Sequence, residues 1–97
     1  MKPFRWNHEK NEQLKVERGI SFEEIVLSIE AEGLLDILKH HDQKNYPNQL
    51  VFVVGIFDYV YLVPFVEETD HYFLKTIIPS RKATRDYLRG RTNEKEI

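Results

Sequence analysis

The chain has 97 residues, of which 41% are hydrophobic and 31% are charged, and its formal net charge is −2. This composition predicts one soluble globular domain over residues 1–97, and the absence of cysteine excludes disulfides and thiolate chemistry. The longest apolar runs are far too short to span a bilayer, and the N-terminus has no apolar signal-peptide core. We therefore expect a cytoplasmic protein without a membrane partner.

The first predicted elements are a short strand and a helix. Residues 3–6 are expected to form a short edge strand. Asn7 is a good N-cap for a helix over residues 8–18, because its side chain can accept a hydrogen bond from the first turn. Gly19 then ends this helix, since glycine readily adopts the left-handed conformation that commonly follows the last helical residue.

A second helix is predicted directly afterwards. Ser21 and Glu24 form the S-x-x-E pattern of a capping box, in which each side chain accepts from the backbone N–H of the other residue. Ile20 and Ile25 occupy the positions of a hydrophobic staple, and apolar residues continue at helical spacing. Gly33 is expected to end this helix.

The second half of the chain predicts a sheet and a closing helix. Four strands, separated by a polar loop and two turns, are expected over residues 34–38, 49–56, 59–66 and 71–78. The third run is apolar on both faces, which favours a central position, whereas Pro64 suggests a bulge or an edge position at that end. Ser80 caps a helix over residues 81–88, Gly90 stops it, and residues 90–97 are expected to be flexible.

The element order defines the predicted fold class. We expect an α+β fold in which two N-terminal helices pack on an antiparallel sheet of about four strands, with a short edge strand and a short C-terminal helix. Charge is unevenly distributed, because residues 22–36 carry only acidic charges whereas residues 75–91 are mainly basic. A polyanion or a charged protein could therefore meet one end of the molecule.

The most informative functional signal is the segment K-T-I-I-P-S-R-K-A-T-R over residues 75–85. An apolar run ends at a proline and a serine, and Arg81, Lys82 and Arg85 follow at once. Cationic side chains on a capped helix at the rim of a sheet are suited to binding phosphate and to stabilising charge on a reacting phosphoryl group. On residue types alone, a solvated surface helix is the commoner explanation.

Three motifs, W-N-H-E-K, G-I-S-F-E-E-I and I-I-P-S-R-K-A-T, resemble the BrnT family in their sequence and order. Proteins of that family are bacterial ribonuclease toxins of type II toxin–antitoxin systems with a RelE-like fold. The matching positions are Trp6, Asn7, Lys10, Gly19, Ser21, Phe22, Glu23, Glu24, Arg81, Ala83 and Thr84. The resemblance implies a metal-independent endoribonuclease that uses no cofactor.

The chain departs from the family pattern at three positions. Asn7 stands where Asp is usual, Arg18 where His is common, and Thr76 where the family has a strand arginine. Lys75 lies one position away, which in a regular strand is the opposite face. Two possibilities therefore stay open, namely a site rebuilt with Lys75 or His71, or a protein with weak or no activity.

The resemblance and the chemistry of RNA cleavage suggest roles for several side chains. Attack of a 2′-hydroxyl on the adjacent phosphodiester needs a base, an acid and cationic donors to the phosphoryl oxygens. The expected catalytic residues are Arg81 as transition-state stabiliser, Lys75, and His71, which is alternatively a simple turn residue. The expected substrate-binding residues are Lys10, Lys82, Thr84, Arg85 and Tyr87, of which Tyr87 is alternatively a half-buried anchor.

Metal binding is not expected. His40, His41 and Asp42 are consecutive, and adjacent side chains rarely converge on one ion. The aromatic residues of the predicted strands could stack on bases, but packing within the sheet explains them better.

Two functional hypotheses follow from these observations. The first is a toxin that cleaves RNA until a small antitoxin neutralises it. That antitoxin is expected to be a ribbon-helix-helix protein similar to BrnA, which would make most contacts to operator DNA. The second hypothesis is a non-catalytic interaction module of the same fold that binds such a partner and has lost cleavage, as the Thr76 departure allows.

Overall fold

The computed structural model describes residues 1–89 and shows an α+β domain, so the predicted fold class is confirmed at this level. The strands are β1 (Phe4–Trp6), β2 (Leu34–Lys39), β3 (Gln49–Ile56), β4 (Tyr59–Glu67), β5 (Tyr72–Leu74) and β6 (Ile78–Pro79). The helices are α1 (His8–Arg18), α2 (Phe22–Glu30) and α3 (Arg81–Thr84), and α3 continues as a π-helical turn over Arg85–Arg89. The expectations for Gly90 and for residues 90–97 lie outside the described residues.

Local capping interactions fix both N-terminal helices as predicted. The Asn7 side chain accepts a hydrogen bond from the Lys10 N–H at 2.9 Å, and Gly19 ends α1 with a φ of +64°. Both hydrogen bonds of the capping box are present between Ser21 and Glu24. These short-range signals are enough to place the helix starts.

The end of α2 lies earlier than expected. The helix ends at Glu30, and the turn that follows brings the Gly33 N–H to 2.6 Å from the carbonyl oxygen of Ser28. The Gly33 carbonyl in turn accepts from the Gly55 N–H of β3 at 2.9 Å. A Cβ on Gly33 would lie 1.9 Å from Ser28 Oγ, so only glycine fits this close passage between helix and sheet.

The sheet is mixed rather than purely antiparallel. Its strand order is β1-β5-β4-β3-β2, and β6 pairs with β4 beyond the end of β5. The antiparallel run from β2 to β5 is confirmed, whereas β1 joins β5 in parallel. The central position of β4 is also confirmed, because β4 pairs with β3 on one side and with β5 and β6 on the other.

The prediction of one continuous strand over residues 71–78 is wrong, because this segment forms two short strands, β5 and β6. Pro64 stays in register with β3, so it forms no bulge there, and its carbonyl accepts from the Lys75 N–H at 2.8 Å. The N–H and C=O of a strand residue point to the same neighbour, so the missing N–H of Pro64 faces the gap between β5 and β6. Leu74 and Ile77 are both buried in one core, which strict alternation along a continuous strand would forbid.

Two unequal cores lie on opposite faces of the sheet. The larger one, beneath α1 and α2, comprises Leu14, Ile20, Phe22, Ile25, Ile29, Phe52, Val54, Val63, Phe65, Leu74 and Ile77. The smaller one lies beneath α3 and comprises Val53, Val60 and Ala83. Because α3 and its π-helical turn are short, they cover only part of their face. None of the helices in residues 1–89 is long and apolar enough to cross a bilayer.

Candidate functional site

The uncovered part of the α3 side of the sheet is the candidate site, and we refer to it as the open face. Tyr72 pairs with Phe4 and packs on the large core, so alternation places Phe73 on the other face of β5. Arg5 of β1 is the register partner of Phe73 and shares its face. The open face is formed by Arg5, Val51, Pro64, Val66, His71, Phe73 and Lys75.

A lysine and a histidine side chain flank an aromatic ring on this face. The Lys75 ammonium lies 5.7 Å from the centroid of the Phe73 ring, in a cation–π arrangement. The His71 ring packs edge-on against the same phenyl group with 6.5 Å between centroids. The open face therefore offers both positive charge and apolar surface, a combination that suits single-stranded nucleic acid.

The proton positions of His71 follow from its neighbour. Its Nδ1 lies 2.7 Å from Asp70 Oδ1, and this hydrogen bond is the main reason that the pKa of Asp70 is lowered. An ionised carboxylate only accepts, so Nδ1 of His71 is the donor in this hydrogen bond. The His71 carbonyl also closes a turn by accepting from the Glu68 N–H at 2.9 Å, so this residue also serves the turn.

A depression of about 210 Å³ lies beside Lys75 on the open face, between the sheet and the loop that follows β2. His40 lines it, and the Nδ1 of His40 accepts a hydrogen bond from the Asp42 N–H at 2.9 Å. The rings of His41 and Tyr46 pack against the His40 ring at centroid distances of 4.4 and 4.6 Å. Within residues 1–89, no group of three or more acidic or histidine side chains could hold a metal ion.

Arg81 and its neighbours lie at the other end of the open face. The Arg81 side chain is exposed, and it makes no hydrogen bond or ion pair within residues 1–89. By contrast, Asp86 lies 3.5 Å from the Lys82 ammonium and 3.6 Å from the Arg85 guanidinium, so it offsets part of their charge. Arg81 is thus the cation of α3 with the least internal compensation.

The catalytic candidates do not converge on one point. The Lys75 N–H donates to the Pro64 carbonyl, and the Ser80 N–H donates to the Val60 carbonyl. Pro64 and Val60 are four residues apart in β4, so Lys75 and Ser80 lie about 13 Å apart at the usual strand rise. The strand that follows His71 begins opposite Glu67, which places His71 about 23 Å from the start of α3. A single phosphodiester therefore cannot contact both His71 and Arg81.

Thr84 is a structural residue, and this corrects its assignment to substrate binding. It is fully buried, and its hydroxyl accepts from the Val60 N–H at 2.8 Å while donating to the Ser80 carbonyl at 2.7 Å. These two bonds join α3 to the central strand. With its hydroxyl fully engaged and no exposed surface, Thr84 has no group left for RNA.

Tyr87 matches the alternative of a half-buried anchor. It packs against the smaller core and its hydroxyl donates to Asp36 Oδ2 at 2.8 Å. It also lines a second depression of about 240 Å³ between α3 and the sheet, together with Lys82 and Asp86. Arg81 is not among the residues that line this depression.

Lys10 lies apart from the other candidates. It belongs to α1, which packs by Leu14 on the opposite side of the sheet. Arg18, at the end of the same helix, donates from Nη1 to the carbonyl of Ile77. Arg18 therefore ties α1 to the link between β5 and β6.

Sequence reasoning missed Arg5 and His40 as parts of the site. Alternation in the first strand does place Arg5 opposite Phe4 and Trp6, but the parallel pairing of β1 with β5 has no local signal. For His40, the sequence raises only the question of metal binding, because the fold of its loop has no local signal.

The chain matches no family model, no curated protein and no solved structure. The likeness to the BrnT family therefore depends on the three sequence motifs. The fold and the site define an α+β domain with a cationic, partly apolar sheet face.

Proposed function

We propose that the chain is the toxin of a bacterial type II toxin–antitoxin system and acts as a metal-independent endoribonuclease similar to the BrnT family. The observation that carries the proposal is the position of Arg81 at the capped start of α3, where its side chain is exposed to solvent and has no acidic partner among residues 1–89. A free guanidinium at the rim of an open sheet is suited to a phosphodiester.

RNA would cross the open face from Lys75 towards α3. Arg81 would contact the phosphoryl oxygens of the scissile linkage and stabilise the negative charge that develops there. Since His71 lies too far away to act on that linkage, we propose that His71, Lys75 and Arg5 bind the neighbouring nucleotides of the RNA. Charge stabilisation rather than histidine acid–base chemistry is then the main contribution of the site.

The antitoxin would neutralise the protein by covering this cationic surface. We propose a small ribbon-helix-helix protein, similar to BrnA, that presents an acidic or apolar segment to α3 and makes the contacts to operator DNA. The complex would act in the cytosol.

A second candidate function is a non-catalytic interaction module. The wide separation of His71 from Arg81 favours it, because His71 is too far away to act as acid or base on a linkage bound by the arginine. In that case the same surface would bind the antitoxin without cleaving RNA.

Expression of the chain alone tests the two functions. The toxin hypothesis expects growth arrest, relieved by Arg81→Ala, with in vitro RNA cleavage reduced by roughly 10²–10³, as for other transition-state charge donors. Arg89→Ala is the matched control, because Arg89 is an exposed arginine at the far end of the same segment. Arrest that persists in Arg81→Ala would contradict the assigned site. Absence of arrest and of cleavage, together with binding of the protein encoded next to this chain, would favour the second function.

A further inference from the structure

The depression beside Lys75 has the composition of a pocket for a flat, mostly apolar group. Val51, Pro64 and Val66 contribute its apolar walls. The polar residues that line it are Lys75, Gln49 and His40. Its volume of about 210 Å³ is below the roughly 300–1,000 Å³ usual for sites that enclose drug-sized ligands, so it suits a single ring system.

The hydrogen-bonding character of the rim is set by the fold. Because His40 Nδ1 accepts from a backbone N–H, the neutral ring carries its proton on Nε2 and can donate there. The Lys75 ammonium can only donate, and the Gln49 amide can donate or accept. The rim therefore complements a ligand whose edge carries oxygen or nitrogen acceptors.

The charge of the residues that line the depression indicates which kind of ligand would present such an edge of acceptors. Within residues 1–89, no carboxylate lines the depression, and Lys75 adds a positive charge. An apolar side chain of a protein would gain nothing from these donors, whereas a nucleobase has apolar faces, a polar edge and an attached phosphate chain.

We propose that this depression binds one unpaired base of a single-stranded RNA, with Lys75 also contacting the adjacent phosphate. The inference extends the proposed function by giving the open face a substrate subsite about 13 Å from the start of α3. It rests on the proposed function only for the choice of RNA as the ligand, since binding of a base does not require cleavage.

Two fluorescent probes separate base binding from attraction to phosphate. The first is an octauridylate with 2′-O-methyl riboses, which has no free 2′-hydroxyl and is not cleaved by attack from that position. The second has the same length and phosphates but abasic internal positions. By fluorescence anisotropy, we expect the octauridylate to bind about tenfold more tightly than the abasic strand, within the usual range for one base contact.

Substitutions inside and outside the depression provide the test. Val66→Phe fills the space, and we expect it to reduce octauridylate affinity to that of the abasic strand while leaving the abasic strand unaffected. His40→Ala, in a loop outside both cores, should have the same effect without altering the packing of the sheet. Val16→Phe is the matched control, since Val16 is 87% exposed on α1 at the other side of the sheet.

Equal binding of the two strands by the unaltered protein would overturn the proposal. So would a base preference that survives both Val66→Phe and His40→Ala in folded protein. If Val66→Phe prevents antitoxin binding and leaves RNA binding unchanged, the depression is a protein site and the proposal is wrong. Base-dependent binding without cleavage of unmodified RNA would instead contradict the endoribonuclease function and leave the base subsite supported.

Discussion

Tyr87 donates a 2.8 Å hydrogen bond to Asp36 and thereby joins the π-helical turn to the edge strand β2. The bond favours the protonated phenol, and together with partial burial it raises the pKa of Tyr87. We expect Asp36→Asn to lower this pKa towards the ordinary tyrosine value. Phenolate absorbance during alkaline titration measures it, with Tyr87→Phe identifying the contribution of this residue.

Asp58→Asn is the control for that titration, because Asp58 is an exposed aspartate in the turn between β3 and β4. If the pKa of Tyr87 is the same in Asp36→Asn as in the unaltered protein, the assigned hydrogen bond is contradicted.

Thr84 should make a large contribution to stability for an uncharged side chain. Thr84→Val keeps the shape but leaves the Val60 N–H without its partner in a buried position. We expect a loss of about 1–3 kcal/mol in the free energy of unfolding, measured by urea denaturation. Thr69→Val, in an exposed turn, should change it by less than about 0.5 kcal/mol. Equal effects of the two substitutions would rule out the buried bridge.

Gly33 and Gly55 form a matched pair for a packing experiment. A Cβ on Gly33 would overlap Ser28 Oγ, whereas a Cβ on Gly55 would lie 3.5 Å from Leu35, at ordinary contact distance. We expect Gly33→Ala to destabilise the protein by about 1–3 kcal/mol and Gly55→Ala to have a much smaller effect. Thermal unfolding of the two variants measures the difference, and a reversed order would mean that α2 and β3 are further apart.

Asn11 links the two N-terminal helices and creates a pH dependence. This buried amide accepts from the Phe22 N–H and donates to Glu23 Oε1 at 2.7 Å, which is the main reason that the pKa of Glu23 is lowered. A carboxylate with a lower pKa in the folded state stabilises that state fully above its unfolded pKa. The stabilisation is lost as pH falls through the folded pKa.

We therefore expect Asn11→Ala to raise the pKa of Glu23, as followed by NMR of its side-chain carboxyl carbon. The same variant should flatten the decline of stability on acidification, since part of that decline comes from Glu23. Glu24→Gln is a poor substitute because it alters the capping box, so Glu9→Gln, at an exposed position of α1, serves as the control. An unchanged Glu23 titration would show that the amide does not set its pKa.

The elements that the sequence predicted best depend on neighbours in the chain. Asn7, Gly19, Ser21 and Glu24 act within one helical turn, so the bounds of α1 and the start of α2 followed from residue types. The alternation over residues 49–56 likewise gave the bounds of β3. Each of these signals works without knowledge of the rest of the fold.

The features that could not be predicted depend on distant contacts. The break between β5 and β6 arises opposite Pro64, ten or more residues earlier, and the parallel pairing of β1 joins residues 4–6 to residues 72–74. The burial of Thr84 likewise depends on its bond to Val60, which no motif reveals. The position of a residue in a sequence motif therefore does not by itself reveal what its side chain contacts.

The unequal sizes of the two cores have a consequence for how the molecule comes apart. Only Val53, Val60 and Ala83 form the buried part of the smaller core, so the C-terminal segment should detach at lower cost than the rest unfolds. Detachment of this segment would expose Val53 and Val60 on an otherwise intact sheet. A variant truncated before Ser80 should therefore self-associate and precipitate while its N-terminal helices are still formed.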